Sequence, residues 1–158
     1  DQVTEGTYGR TGYTRKPSEG GRERWLSPTA IAIMSRIFMD KDRSDPRLST
    51  GCDQLLKFKP KWQDGSVDYY YWYYASLALF QFDGPSGKYW KQWNEAMKTC
   101  LVQHQKVRKD GCADGSWDPA VDRWGHAGGR VYATAINVLT LEVYYRYENV
   151  FGAGKRKG

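Results

Sequence analysis

The sequence predicts an all-α protein built as an array of helical hairpins. Five segments carry helix start signals or the periodicity of a helix. They alternate between helices that are apolar on most sides and helices that are apolar on one side only. Similar residues also recur at a period near fifty residues, which is typical of repeat architectures.

Length and composition place the chain among folded proteins. It has 158 residues, the length of one domain, and aromatic residues make up 15% of it, which excludes wholesale disorder. No apolar run approaches the roughly 20 residues of a transmembrane helix. We expect an N-terminal arm over 1–25, a repeat domain over 26–150 and a flexible basic tail over 151–158. Without an initiator Met or a signal peptide, the sequence indicates a processed chain or an excised domain.

The first two predicted helices have clear start signals. Ser27-Pro28 supplies an N-cap followed by proline at the first helical position, which predicts a helix from Pro28 to Met39. Ser44-Asp45-Pro46 predicts a second helix that ends near Phe58, before Pro60. The first is apolar on most sides, whereas the second is amphipathic.

The remaining helices continue the alternation. The third, from Asp68 to Phe82, is almost wholly apolar; a strand over Tyr69–Tyr74 is the alternative, since aromatic residues favour strands. The fourth, from Gly87 to Lys106, has one apolar stripe and one polar face. The fifth, from Arg130 to Tyr147, is apolar almost all round and has no amphipathic helix after it. We therefore expect an inner row of three helices and an outer row of two.

An internal repeat relates these helices to one another. Thr29, Ser76 and Thr134 occupy equivalent positions in similar stretches. A unit of this length cannot bury its apolar face alone, so stacked units would form the core.

The connection before the fifth helix resembles a known family. Gln105…Asp114-Gly115-Ser116-Trp117-Asp118-Pro119, followed by Gly128-Gly129-Arg130, is similar to the repeat of the prenyltransferase and squalene-cyclase family, and most similar to its planctomycete-type repeat proteins of unassigned function. This resemblance covers about Ser27 to Tyr147. It implies an α/α-toroid-like array of about two and a half repeats, forming an open arc rather than a closed toroid.

The cyclase and zinc motifs of that family are not convincingly present. No Asp-x-Asp-Asp motif occurs, which disfavours a cyclase. Asp110-Gly111-Cys112 with His126 offers zinc-type ligands, but the two parts lie too close in sequence to match the family pattern. A turn with a loop cysteine and an exposed histidine is the favoured interpretation. We predict no catalytic residues, no metal site and no cofactor.

Charge and cysteines indicate little about partners. The net charge of +6 comes partly from the terminal Lys155-Arg156-Lys157, and no basic stripe predicts nucleic-acid binding. Cys52 and Cys100 fall on apolar helix faces, whereas Cys112 falls in a loop, and a Cys100–Cys112 disulfide is an alternative. The compartment is not predicted.

Six residues are the candidates for ligand binding. They are polar or aromatic side chains on the third and fifth helices and in the connection before the fifth: Trp72, Tyr73, Trp117, Trp124, Arg130 and Glu142. The connection also has a structural interpretation, in which Gly115 permits a turn and Trp117 packs between units. Glu142 and Arg146 are spaced as an ion pair, and we expect that pair to be buried in the core.

The function predicted from these observations is non-catalytic. We expect a binding or assembly module that meets other protein chains, or a further part of the same protein, through the uncovered face of the fifth helix. The alternative is an enzyme or carrier of isoprenoids or other lipids with an aromatic-lined cavity. Carbohydrate binding would require a row of exposed aromatic rings.

Overall fold

The fold is all-α, as the sequence predicts. The computed structural model describes residues 26–40 and 42–152, which include the helices α1 (Leu26–Asp40), α2 (Pro46–Leu56), α3 (Tyr69–Asp83), α4 (Lys88–Gln103) and α5 (Gly125–Gly152). Two short 3-10 segments, Arg108–Ala113 and Pro119–Val121, lie between α4 and α5. These ranges contain no strand, so the strand alternative for Tyr69–Tyr74 is wrong. The predicted arm over 1–25 lies outside them, as does 153–158 of the predicted tail; the first two residues of that tail, 151 and 152, end α5 instead.

Local signals explain where the helices begin. The Asp45 side chain accepts a hydrogen bond from the Arg47 amide, and Pro46 follows it at the first helical position, as the sequence predicts. Asp68 accepts from the Tyr71 amide in the same way. The start of α1 differs from the prediction: it begins at Leu26, and Pro28 lies inside its first turn, where a missing amide hydrogen costs nothing.

The aromatic helix α3 is the centre of the fold. It packs against α1, α2, α4 and α5. Its start and the start of α5 are joined by a hydrogen bond from the Tyr69 amide to Asp122, and the rings of Phe80 and Tyr144 meet near the other ends, with centroids 6.4 Å apart. The helices α3 and α5 therefore run parallel, as alternate members of a hairpin array do. The toroid-like curvature of such an array and its open-arc form stay predictions.

The buried indole of Trp93, between α3 and α4, has its polar atom satisfied. The Trp93 Nε1–H donates to Ser76 Oγ over 2.8 Å, and that hydroxyl donates in turn to the carbonyl of Trp72 over 2.7 Å. Trp72 and Trp93 lie in the core together with Trp90. Because each indole N–H needs a partner when it is buried, this chain of hydrogen bonds lets aromatic rings fill the space between the helices.

A phenol at the start of α4 ties that helix to α2. The Tyr89 hydroxyl donates to Asp53 Oδ1 over 3.0 Å. Burial of the ring raises the pKa of Tyr89 to about 12, and the hydrogen bond to the Asp53 carboxylate adds to the shift. The folded state therefore holds this proton more tightly than the unfolded chain does.

We predict that Tyr89 makes stability depend on pH in the alkaline range. Its contribution is fully present below the ordinary tyrosine pKa of roughly 10 and is lost as the pH rises towards 12. The Tyr89→Phe variant should lose less stability between these values than the parent protein. It should also lack one late-ionising phenol in a spectrophotometric titration. Identical titrations of the two proteins would contradict the assignment.

Candidate functional site

The fifth helix has an apolar face that no described residue covers. Val131 is 84% exposed and Tyr145 is 74% exposed, and Ala135 and Val138 lie exposed between them. The opposite side of the helix is buried: it consists of Ala133, Ile136, Asn137, Thr140 and Val143. Both sides are therefore largely apolar, but among the described residues only one side is packed against other elements. We call the exposed set Val131, Ala135, Val138, Glu142 and Tyr145 the α5 stripe.

The exposed face begins after a break made by glycine. Gly129 has φ 63° and ψ −166°, a backbone conformation essentially restricted to glycine. A side chain on Gly128 would also collide with the Tyr132 ring, because an added Cβ would lie 2.4 Å from it. The break turns the chain from the preceding connection into the long straight part of α5, which starts at Arg130.

The Arg130 side chain joins the start of the straight part of α5 to the connection between α4 and α5 through hydrogen bonds. Its Nη1 donates to Ser116 Oγ over 3.1 Å and to the Trp117 carbonyl over 3.3 Å. The side chain as a whole is exposed. Arg130 thus combines a structural contact with a positive charge at the solvent-facing start of the helix.

The connection itself is closed by paired hydrogen bonds. The side-chain Nε2 of Gln105 donates to the Gly115 carbonyl over 2.8 Å, and the backbone amide of Lys106 donates to the Ser116 carbonyl over 2.8 Å. Gly115 has φ 75°, the conformation that the turn requires. Trp117 is buried, and its Nε1–H donates to the Leu101 carbonyl over 2.9 Å. Gly115 therefore permits the turn and Trp117 packs in the core, as the structural interpretation expects, whereas its place between repeat units stays a prediction.

A carboxylate that sequence reasoning missed anchors the connection to α3. Asp122 is buried and accepts hydrogen bonds from the Tyr69 amide over 2.7 Å and from the Trp124 amide over 3.0 Å. Burial raises the pKa of Asp122, although its backbone hydrogen bonds and the nearby His126 oppose that shift. No local pattern singles it out, because Tyr69 lies 53 residues away in the sequence.

A second candidate site is a group of tyrosines on α3 and α5. Tyr70, Tyr73 and Tyr74 are half-buried, with ring centroids 4.7 Å apart for Tyr70–Tyr74 and 5.2 Å for Tyr73–Tyr74. The Tyr132 hydroxyl is buried without a hydrogen-bond partner among the described residues. Burial raises the pKa of Tyr132, and the charges of Asp122 and Asp68 add to it. We call these four residues the tyrosine cluster.

The six predicted ligand-binding residues have different environments. Trp72 and Trp117 are each 1% exposed and belong to the core. Tyr73 lies in the tyrosine cluster, whereas Trp124 is 41% exposed and has the Arg123 guanidinium 5.4 Å from its ring centroid. The structure brings Arg130 to the Trp117 backbone, but it places Glu142 a little more than three turns further along the helix. A ligand-binding role for these residues stays a prediction.

The ion pair on α5 is formed but not buried. Arg146 Nη2 lies 3.4 Å from Glu142 Oε2, and each side chain is about half exposed. The expectation that this pair is buried in the core is therefore wrong. The physical reason is that both residues fall on the solvent side of a helix whose core-facing side is occupied by Val143 and Thr140.

The cysteines and histidines do not form a metal site within the described part of the chain. No cluster of three His, Cys, Asp or Glu side chains occurs among the residues described. Cys112 is exposed, and Cys52 and Cys100 are buried; all three are free thiols, so the disulfide alternative is wrong. Over the same ranges, no helix is both long and apolar enough to cross a membrane.

Comparisons with known proteins gave no match for this chain. No family model matches the chain, and neither the curated proteins nor the solved structures contain a match. The fold and the two candidate sites therefore define an all-α protein with an apolar helix face that the described residues leave exposed, and the function is inferred from that geometry.

Proposed function

We propose that the protein is a non-catalytic binding or assembly module that contacts other protein chains, or a further part of the same protein, through α5. The observation that carries this proposal is the α5 stripe, in which Val131 and Tyr145 are 84% and 74% exposed. A contiguous apolar face on a soluble domain is typical of an interaction site. Nucleic acid is not among the proposed partners, since the sequence has no basic stripe.

The composition of the stripe fits a protein interface. Its centre, Ala135 and Val138, is uncharged, Tyr145 supplies an aromatic side chain, and the Glu142–Arg146 pair adds charge near one end. Protein interfaces are depleted in charge at their centres and enriched in aromatic residues and Arg. A partner would therefore bury the apolar centre while the ion pair remained near the rim.

The proposed relationship to the prenyltransferase and squalene-cyclase repeats leads to the same surface. In a stacked array, each hairpin covers the apolar face of its neighbour, and the helix at an end needs a polar outer face or another cover. The outer face of α5 is mainly apolar. An array of this kind would thus require a partner at α5.

The tyrosine cluster favours a second candidate function, the binding of an isoprenoid or another apolar ligand. The cluster has half-buried rings from α3, and the buried Tyr132 hydroxyl has no hydrogen-bond partner within the part of the chain that the structure describes. An apolar ligand with one polar end could pack against the rings and give that hydroxyl a partner. Of the six predicted ligand-binding residues, Tyr73 belongs to this candidate, Trp124, Arg130 and Glu142 are exposed before and along α5, and Trp72 and Trp117 lie in the core.

We predict that protein isolated from its native source without denaturant forms a particle larger than the 18.2 kDa chain. Light scattering gives the mass, and metal analysis and lipid mass spectrometry are done on the same sample. An 18.2 kDa particle would overturn the assembly proposal. A bound lipid would favour the second candidate, and stoichiometric zinc would restore Asp110, Cys112 and His126 as ligands.

A further inference from the structure

We draw no further inference here: the strongest candidate, the exposed apolar face of α5 around Val131, Val138 and Tyr145, is an unpartnered helix face, and nothing in the structure shows what covers it.

Discussion

Replacing Trp117 with alanine is expected to lower the free energy of unfolding by about 3–5 kcal/mol. The side chain is 1% exposed, and its indole N–H donates to the Leu101 carbonyl near the end of α4 over 2.9 Å. The substitution removes the packing of a large ring and one of the two hydrogen bonds that this carbonyl accepts, leaving it the His104 amide at 3.3 Å. Urea unfolding at pH 7 measures the loss, provided that the slope of the unfolding free energy against urea concentration is the same for the variant and the parent protein.

Two further variants separate packing from the hydrogen bond and provide a control. Trp117→Phe keeps an aromatic ring and should lose a smaller part of the stability. Trp124→Ala makes the same change seven residues further along the chain, where the ring is 41% exposed, and should cost less than about 1 kcal/mol. Equal losses from Trp117→Ala and Trp124→Ala would show that Trp117 does not stabilise the connection to α4.

Helix positions could be predicted because their signals are local. Asp45-Pro46 starts α2, and Gly84 ends α3 with φ 71°, close to the predicted boundaries. The end of α4 was harder to predict: the helix stops at Gln103 rather than Lys106. Gln105 and Lys106 pair with Gly115 and Ser116 instead, and such contacts with a later loop leave no mark on the helical pattern.

The orientation of α5 could be predicted only in part. The lack of an amphipathic helix after α5 predicted an uncovered face, and no described residue covers one of its two sides. Local sequence does not distinguish Val131, which is exposed, from Val143, which is buried. Which of these valines is buried depends on how α5 packs against α3, and the periodicity of neither helix encodes that contact. The same uncertainty explains why the Glu142–Arg146 spacing was predicted correctly but its burial was not.

Residues that join distant segments were not predictable at all. Asp122 and Tyr132 follow no motif in the sequence, and their environments arise only when the start of α5 meets the start of α3. A buried carboxylate of this kind has to be found from its partners. Its importance can be tested directly.

Replacing Asp122 with alanine is expected to lower the free energy of unfolding by about 2–3 kcal/mol. The substitution removes the acceptor for the Tyr69 and Trp124 amides in a buried position. Asp122→Asn keeps one acceptor oxygen for the Tyr69 amide and should lose less. Asp114→Ala, an exposed aspartate in the same connection, should change stability by less than about 0.5 kcal/mol.

The dependence on pH gives a stricter test of the same carboxyl group. Burial raises the pKa of Asp122 in the folded protein, so the folded state binds this proton more tightly than the unfolded chain does. Its contribution is therefore fully present below the ordinary pKa of 3.8 and falls as the pH rises through the folded value. Urea unfolding between about pH 3.5 and 7 should show the parent protein losing stability relative to Asp122→Asn over that interval. If the stability of the parent protein relative to Asp122→Asn stays constant or increases as the pH rises, the backbone hydrogen bonds outweigh burial at this carboxylate.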